Sequence, residues 1–323
     1  EEYADLSIKP YNNVEFLKSF IKALFDGGYV NEAEISNKAE NLENLKNYVK
    51  DAKDCEDAAK LAKMYGEAKK AIIVADDDMV TPDAYKLLAD AAVITGKIGK
   101  AHSGIITVRS NSNAQGFIDM GVNVPGKQIL EQIKAGKIKA AVIIGEDPVG
   151  ADENTAEILK KLEFVATFDM FMTDTALISN FVVPMGSFAE SEGTITRSDR
   201  KIQKINTAID SVNGSTSFDN LSELAKYLDV NIGSLSKATE ILSAQIPEYS
   251  GLYVAEVEDE DIYTPNSTSN AYGVQVLYTD GFNKEDKKAV LSLPEDDKIF
   301  MDKKVYDSVQ IRFNAYLKEN GLK

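Results

Sequence analysis

Two short segments combine acidic side chains with glycine or an aromatic ring and could bind a ligand. The first is Gly145-Glu146-Asp147-Pro148 and the second is Phe168-Asp169-Met170, and each follows a run of apolar residues. Carboxylates there can accept hydrogen bonds from the edge of a base, for example from N1 and N2 of guanine, but would repel a pyrophosphate. Neither segment has the glycine spacing of a phosphate-binding loop. The alternative is that both are ordinary strand-to-helix turns with a capping carboxylate.

Two other charged segments have simpler explanations. Asp76-Asp77-Asp78 could bind a hard cation, but its position after an apolar run favours the solvated end of a strand. The segment 190–200 carries glutamates and arginines around Gly193-Thr194. That pattern is typical of a charged loop held by ion pairs.

The composition excludes several classes of site. The 323 residues include 36 Lys and Arg against 52 Asp and Glu, giving a net charge of −16, which disfavours a nucleic-acid partner. The single cysteine, Cys55, and the single histidine, His102, cannot form a disulfide, a zinc site or an iron–sulfur cluster. We expect both to be structural or incidental. The sequence shows neither a long apolar run nor the pattern of a signal peptide. It therefore predicts a cytoplasmic chain with no direct membrane span.

Short apolar strands alternate with helices through the middle of the chain. The periodicity predicts strands at 71–75, 139–144, 164–168 and 181–184, and helices at 82–95, 126–135, 152–162 and 173–179. This alternation is typical of a doubly wound α/β fold with a parallel sheet and flanking helices. We therefore expect one parallel layer over 71–184, with Gly145, Asp147, Phe168 and Asp169 at the rim formed by the carboxyl ends of the strands.

The regions on either side of this layer are mainly helical. Apolar spacing predicts helices near 12–30, 42–49, 58–68, 218–228 and 234–244, a strand at 274–278 and an amphipathic helix at 304–319. Several glycines predict a long irregular stretch at 96–127.

Seven short motifs, each occurring once, follow one another along the chain. They are Ala4–Pro10, Thr95–Gly99, Asn113–Gly121, Phe168–Ala176, Phe181–Pro184, Phe188–Thr194 and Arg200–Gln203. Their order and spacing, across residues 4 to about 250, resemble the molybdopterin oxidoreductase family. The resemblance implies the central domains of that fold, with a mostly helical C-terminal extension. It divides the chain into a helical segment that continues a truncated N-terminal α/β domain (1–65), an α/β domain like those of molybdopterin oxidoreductases (66–205), and a helical and irregular C-terminal extension (206–323).

The resemblance also implies a function for the parent protein. Such a subunit passes electrons to other subunits of a complex and uses molybdopterin guanine dinucleotide and iron–sulfur clusters. The resemblance assigns cofactor contacts to Gly145, Asp147, Phe168, Asp169, Ser191 and Gly193. It assigns no catalytic residue and no metal ligand to this chain, which we expect to hold no cofactor and to be inactive alone.

Two kinds of family member are similar to the chain: the catalytic subunit of formate dehydrogenases and the large iron–sulfur subunit of complex I, an NADH dehydrogenase. The complex I subunit keeps the fold as a scaffold beside a membrane complex, generally without a pterin. The family motif GxNP reads Gly145-Glu146-Asp147-Pro148 here, and Asp76-Asp77-Asp78 replaces a glycine-rich turn. These departures slightly favour the scaffold. An unrelated α/β nucleotide-binding module is a third interpretation.

Overall fold

The computed structural model describes residues 3–10, 12–76, 80–122, 124–212, 214–252, 257, 262–266 and 270–294. Contacts group them into two compact units, described separately below. Unit one comprises the described residues of 1–110 and those from 275 onward, and unit two comprises the described residues of 111–274. The three-part division of the sequence stays a prediction, because it concerns family architecture rather than compactness.

Unit one is built on helices around a shared apolar core. Its elements are α1 (Asn13–Asp26), α2 (Glu32–Lys38), β1 (Ala39–Glu40), α3 (Leu42–Val49), α4 (Glu56–Glu67), β2 (Ile72–Asp76), α5 (Pro82–Ile94), β3 (Gly104–Val108) and, much later in the chain, β10 (Ala289–Val290). Asn12 caps α1, and Thr81 caps α5 ahead of Pro82, as helix-start chemistry requires. Ile21, Leu24 and Leu87 are fully buried where α1, α4 and α5 meet.

Two pairs of parallel strands complete unit one. β2 pairs with β3, with Ile72 opposite Gly104, and β1 pairs with β10, with Ala39 opposite Ala289. On α5, a buried carboxylate oxygen of Asp90 accepts a hydrogen bond of 3.2 Å from the Ser292 amide. This contact fixes the segment after β10 against α5.

Unit two contains the α/β alternation that the sequence predicts. Its elements are α6 (Ala114–Asp119), α7 (Gly126–Lys134), β4 (Ala140–Ile144), α8 (Pro148–Ala151), α9 (Asn154–Leu159), β5 (Phe164–Asp169), α10 (Asp174–Ile178), β6 (Phe181–Pro184), β7 (Gly193–Thr196), β8 (Lys201–Ile205), α11 (Ser217–Tyr227), α12 (Leu235–Gln245) and β9 (Ile262–Tyr263). β4, β5 and β6 form a parallel sheet in that order. Ile133, Leu159 and Val165 belong to the core on one side of it.

A second sheet in unit two follows the parallel one. β7 and β8 form an antiparallel hairpin with Thr194 opposite Lys204, and β9 pairs antiparallel with the outer side of β8. The segment 190–200, which the sequence favours as a charged loop, therefore contains a strand and a turn. Arg197 and Asp199 do form an ion pair of 3.3 Å in that turn.

The parallel α/β fold is confirmed, but three expectations need correction. Strand 71–75 pairs with β3, so it is not hydrogen-bonded into the sheet of 140–144 and 164–168. The stretch 96–127 is not irregular throughout, because it contains β3 and α6. No strand forms at 274–278, where Tyr278 has a positive φ of 64°, which extended chains do not adopt. The predicted helix at 304–319 lies outside the described residues.

Candidate cofactor-binding site

The carboxyl ends of β4 and β5 bring four of the six predicted site residues together. Because the strands are parallel neighbours, Ile144 lies opposite Phe168, and the turns that follow share one rim. The amide of Gly145 donates a 2.8 Å hydrogen bond to the carbonyl of Phe168. Gly145 has φ of +62°, and a Cβ there would lie 3.3 Å from Cε of Met185. The positive φ favours glycine in this turn, and the end of the Met185 side chain lies beside it.

Asp147 uses its carboxylate to hold two helices. Its Oδ1 accepts bonds from the Gly150 amide (3.0 Å), the Thr175 amide (2.9 Å) and the Thr175 hydroxyl (2.7 Å). It thus caps α8 and ties α8 to the first turn of α10. The hydroxyl of Thr175, more than any other donor, lowers the pKa of the Asp147 carboxyl. These contacts match the capping alternative from the sequence, and an asparagine Oδ1 could make the same ones.

Asp169 is the rim acid with spare hydrogen-bonding capacity. It is half-buried at the end of β5, and its Oδ1 accepts a 3.0 Å bond from the Phe171 amide. Its backbone carbonyl accepts from the amide of Met185 at 3.0 Å. An ionised carboxylate offers about four acceptor positions. Asp169 can therefore shape its own turn and still accept bonds from a ligand.

Phe168 contributes to the sheet rather than to an exposed surface. Its side chain is buried, and it lies in register between Ile144 and Val183. Its carbonyl already accepts the Gly145 amide. Because the Phe168 ring is buried, the structure does not support a role for it in stacking on a ligand.

Ser191 and Gly193 lie after β6, on the approach to the hairpin. Ser191 ends a short 3₁₀ turn (Phe188–Glu190), and its hydroxyl donates to the Ser187 carbonyl at 3.1 Å. Gly193 starts β7 with φ of +152°, in open space, where only glycine is relaxed. The structure thus places these two residues on a different segment from the four rim residues.

Glu190 is a structural residue that the sequence interpretation missed. It is buried, and its carboxylate accepts from the Ser187 amide and hydroxyl (2.9 and 2.8 Å) and from the Val212 amide (3.0 Å). The Ser187 amide, followed by the Val212 amide, lowers the pKa of the Glu190 carboxyl. The signal was visible, because Ser187-Phe188-Ala189-Glu190 has the spacing of a capping box.

A buried polar network holds the hairpin to α6. Asn113 Oδ1 accepts the Thr196 amide at 2.9 Å. The Tyr249 hydroxyl bonds to the Thr196 hydroxyl and donates to Asp119 Oδ2 at 3.3 Å. Burial raises the pKa values of both Tyr249 and Asp119. The motif Asn113–Gly121, singled out in the sequence, therefore positions the strand that begins at Gly193.

Comparison with known proteins identifies the fold. The sequence model of the molybdopterin oxidoreductase family matches residues 2–227. The chain belongs to that family. The chain is 27% identical to the alpha subunit of the F420-dependent formate dehydrogenase from Methanocaldococcus jannaschii, over 86% of this chain and 49% of that protein. It is 25% identical to the NADPH-Fe(3+) oxidoreductase subunit alpha of Geobacter sulfurreducens, over 76% of this chain and 35% of that protein.

A solved structure supports the same fold. Acetylene hydratase from Pelobacter acetylenicus superimposes with a TM-score of 0.63 at 14% identity, over 90% of this chain and 49% of that one. The chain spans about half the length of the formate dehydrogenase alpha subunits that it matches.

Two properties of the described residues bear on cofactors and membranes. They contain no group of three or more His, Cys, Asp and Glu side chains arranged to hold a metal ion. They also contain no helix that is both long and apolar enough to cross a membrane.

Proposed function

We propose that the chain is the central part of the catalytic subunit of a formate dehydrogenase. The similarity to an F420-dependent formate dehydrogenase alpha subunit, along 86% of the chain, carries this proposal. It replaces the preference for a complex I scaffold that the motif departures favoured. In this proposal the parent works in the cytoplasm, and its electrons pass to other subunits through iron–sulfur clusters held outside this chain.

In this proposal the rim binds the nucleotide end of molybdopterin guanine dinucleotide. Asp169 offers a carboxylate to the paired N–H donors of guanine, because its carboxylate accepts one bond, from the Phe171 amide, and has further acceptor positions. Ser191 and Gly193 are proposed as further contacts on the segment before β7. When bound, the pterin and its metal supply two-electron redox chemistry, and this chain binds and orients them.

The aspartate at position 147 is a weaker argument against a bound cofactor than the sequence suggests. In the family motif an asparagine stands at this position, and the Asp147 contacts all use one oxygen that accepts from donors on α8 and α10. An asparagine would serve the same purpose. The hydrogen bonds of Asp147 therefore do not argue against a guanine dinucleotide on this rim, and only its added negative charge does.

The scaffold remains the second candidate, because of the acidic character of the rim. Glu146 is exposed next to Asp147, and Asp169 follows on the neighbouring strand. Three acids near one another disfavour the phosphates of a dinucleotide. In a scaffold without a pterin, the same acids would only cap helices and turns.

The test is Asp169→Asn in the full-length subunit, with Asp174→Asn as the matched control. Asp174 is an exposed acid in the first turn of α10. Asparagine at 169 keeps one acceptor for the turn but presents an amide donor to the guanine donors. We expect molybdenum or tungsten and pterin content to fall about tenfold, together with formate oxidation, while the control keeps both.

The apo protein separates binding from folding. Its melting temperature should be nearly unchanged by Asp169→Asn, because the Phe171 contact can persist. Full cofactor content in the variant, or an unstable apo variant, would make Asp169 a structural residue. A wild-type subunit that is purified without a pterin would favour the scaffold.

A further inference from the structure

An aspartate lies on the buried face of α5. Leu87, Ala91 and Ile94 line that face and are at most 1% exposed, and Asp90 shares their helical spacing and is 3% exposed. Residues three or four positions apart on a helix lie on one side of it. For packing alone an apolar residue would suit this position better, because burying a carboxylate is costly unless its oxygens are paired.

The Asp90 carboxylate accepts a single hydrogen bond from the part of the chain that the structure describes. Its Oδ1 accepts the Ser292 amide at 3.2 Å, whereas its Oδ2 is buried without a partner. A buried acceptor that is left unsatisfied destabilises the fold, and more so when it carries a charge. The site therefore favours the protonated acid over the carboxylate.

No charged group of the described residues offsets a negative charge on Asp90. The elements with the most extensive contacts to α5 are α1, α2, β2 and β3. Their charged side chains, and those of α5 itself, form the pairs Glu15–Lys18, Lys22–Asp26, Glu32–Lys46, Glu34–Lys38 and Asp83–Lys86 or, for Asp76, lie exposed at the end of β2. Segment 289–293 contains no charged residue. Burial thus raises the pKa of Asp90 to about 7, and the Ser292 amide opposes this only in part.

The segment 289–293, which contacts Asp90, is held in place by few interactions. Ala289 and Leu291 are buried in the core of unit one. β10 contributes only two residues of pairing with β1, and the Leu291 amide reaches the Glu40 carbonyl at 3.3 Å, a long hydrogen bond. Segments with few contacts open at a lower free-energy cost than the core helices beneath them.

We propose that ionisation of Asp90 releases the segment 289–293 from α5 and β1 while the helices of unit one stay folded. Release brings the carboxylate into water, where its charge is solvated. The segment therefore stays in place at low pH, where Asp90 is protonated, and opens more often as the pH rises to about 7. The release is independent of the proposed function, because the candidate cofactor contacts lie in unit two.

Hydrogen exchange of the full-length subunit between pH 5 and 8 measures the release. Protection factors, which correct for the intrinsic effect of pH, are compared between a peptide that covers 289–293 and one that covers β5. An exposed aspartate has a pKa of about 3.9, so protection of 289–293 should fall about 10- to 50-fold from pH 5 to 7 and then level off. Protection of β5 should not change. Protection of 289–293 that is independent of pH would overturn the proposal.

Asp90→Asn removes the ionisable group and keeps the shape of the protonated acid. In this variant, protection of 289–293 should stay at the low-pH value of the wild type throughout. Asp5→Asn, which alters an exposed acid, is the control and should keep the pH dependence of the wild type. A pH dependence that persists in Asp90→Asn would assign the opening to another group and refute the role of Asp90.

Exchange of the wild type in dilute urea separates release of the segment from unfolding of unit one. A local opening exposes little surface, so exchange of 289–293 should hardly respond to urea. Exchange of the buried Ile21 and Leu24 in α1 should accelerate with it. Equal urea dependence of the two regions would show that Asp90 acts only on global stability and would overturn the release, whether or not the variant folds.

Discussion

Asp147 shows that an acid beside a candidate ligand site can serve the fold, because one of its carboxylate oxygens accepts three hydrogen bonds from α8 and α10. Asp147→Ala would leave three donors on Gly150 and Thr175 without their partner. We expect a clear fall in the urea midpoint for Asp147→Ala and a much smaller one for Asp147→Asn, because Asn keeps Oδ1. Equal losses for the two variants would mean that the negative charge, rather than the acceptor, is what matters.

Asp90 predicts an unusual dependence of stability on pH. Burial raises the pKa of its carboxyl to about 7, against a smaller opposing effect of the Ser292 amide. The folded chain therefore holds this proton up to about pH 7, whereas the unfolded chain releases it near pH 4. The contribution of Asp90 to stability is present below pH 4 and is lost as the pH rises to about 7.

Asp90→Asn tests this directly, because asparagine resembles the protonated acid. We expect the variant to gain stability relative to the wild type between pH 4 and 7, reaching up to about 4 kcal/mol. Urea unfolding at several pH values measures it, with Asp5→Asn as a control on an exposed acid. A stability difference that does not change with pH would contradict the prediction.

The capping role of Asp147 could be predicted from the sequence, whereas the burial of Asp90 could not. The possibility that Asp147 caps a helix follows from an acid placed just before Pro148. Nothing local marks Asp90 as buried, since it lies in an ordinary amphipathic helix and its partner Ser292 is 202 positions away. Long-range contacts of this kind leave no trace in a short window of sequence.

At the level of elements, the hairpin β7–β8 depends on a tyrosine from a distant 3₁₀ turn (Pro247–Tyr249). Tyr249→Phe removes the hydroxyl between Thr196 and Asp119. We expect a loss of about 1–3 kcal/mol, because the buried Thr196 hydroxyl loses its partner and the half-buried Asp119 carboxyl loses one donor. Tyr227→Phe, on an exposed ring, should have no effect.

A double-mutant cycle with Thr196→Val assigns the loss to the network. Coupling of about 0.5 kcal/mol or more between Tyr249→Phe and Thr196→Val would locate the effect at their shared hydrogen bond. Additive losses would show that the tyrosine stabilises the fold by packing alone.

Helices and strands could be predicted where the local sequence has a clear apolar run or a helix-capping residue. The strands β2, β4, β5 and β6 are short apolar runs, and α5 begins with Thr81-Pro82. The strand β3 was missed because it follows glycine-rich sequence and begins with Gly104 itself. The hairpin was missed because its strands are polar, and β9, which pairs with it, is only two residues long.

For the whole molecule, we expect the purified 323-residue chain to carry no stoichiometric iron, molybdenum or tungsten. One cysteine and one histidine cannot supply the roughly four ligands of an iron–sulfur cluster. Elemental analysis by mass spectrometry measures this, with the full-length subunit as the positive control. One equivalent of metal per chain would refute the view that the ligands lie elsewhere.

The family was predictable from the sequence, whereas the arrangement of its parts was not. Seven short motifs in order indicated the molybdopterin oxidoreductase family, and the match of the family model to residues 2–227 confirms it. The motifs gave no indication that 275–294 packs with the N-terminal unit. That grouping depends on pairs such as Ala39 and Ala289, which no spacing of motifs encodes.

The separation of β1 from its partner has a consequence for biosynthesis. The parallel sheet of unit two lies wholly within 140–184, whereas Asn41 and its partner Leu291 are 250 positions apart. At about 5–20 residues per second, a ribosome needs roughly 10–50 s to cross that interval. Unit two can therefore fold during translation before β10, which pairs with β1 of unit one, has been synthesised. A nascent chain stalled once unit two has emerged should show protease-resistant β4–β6 and a still-cleavable N-terminal segment.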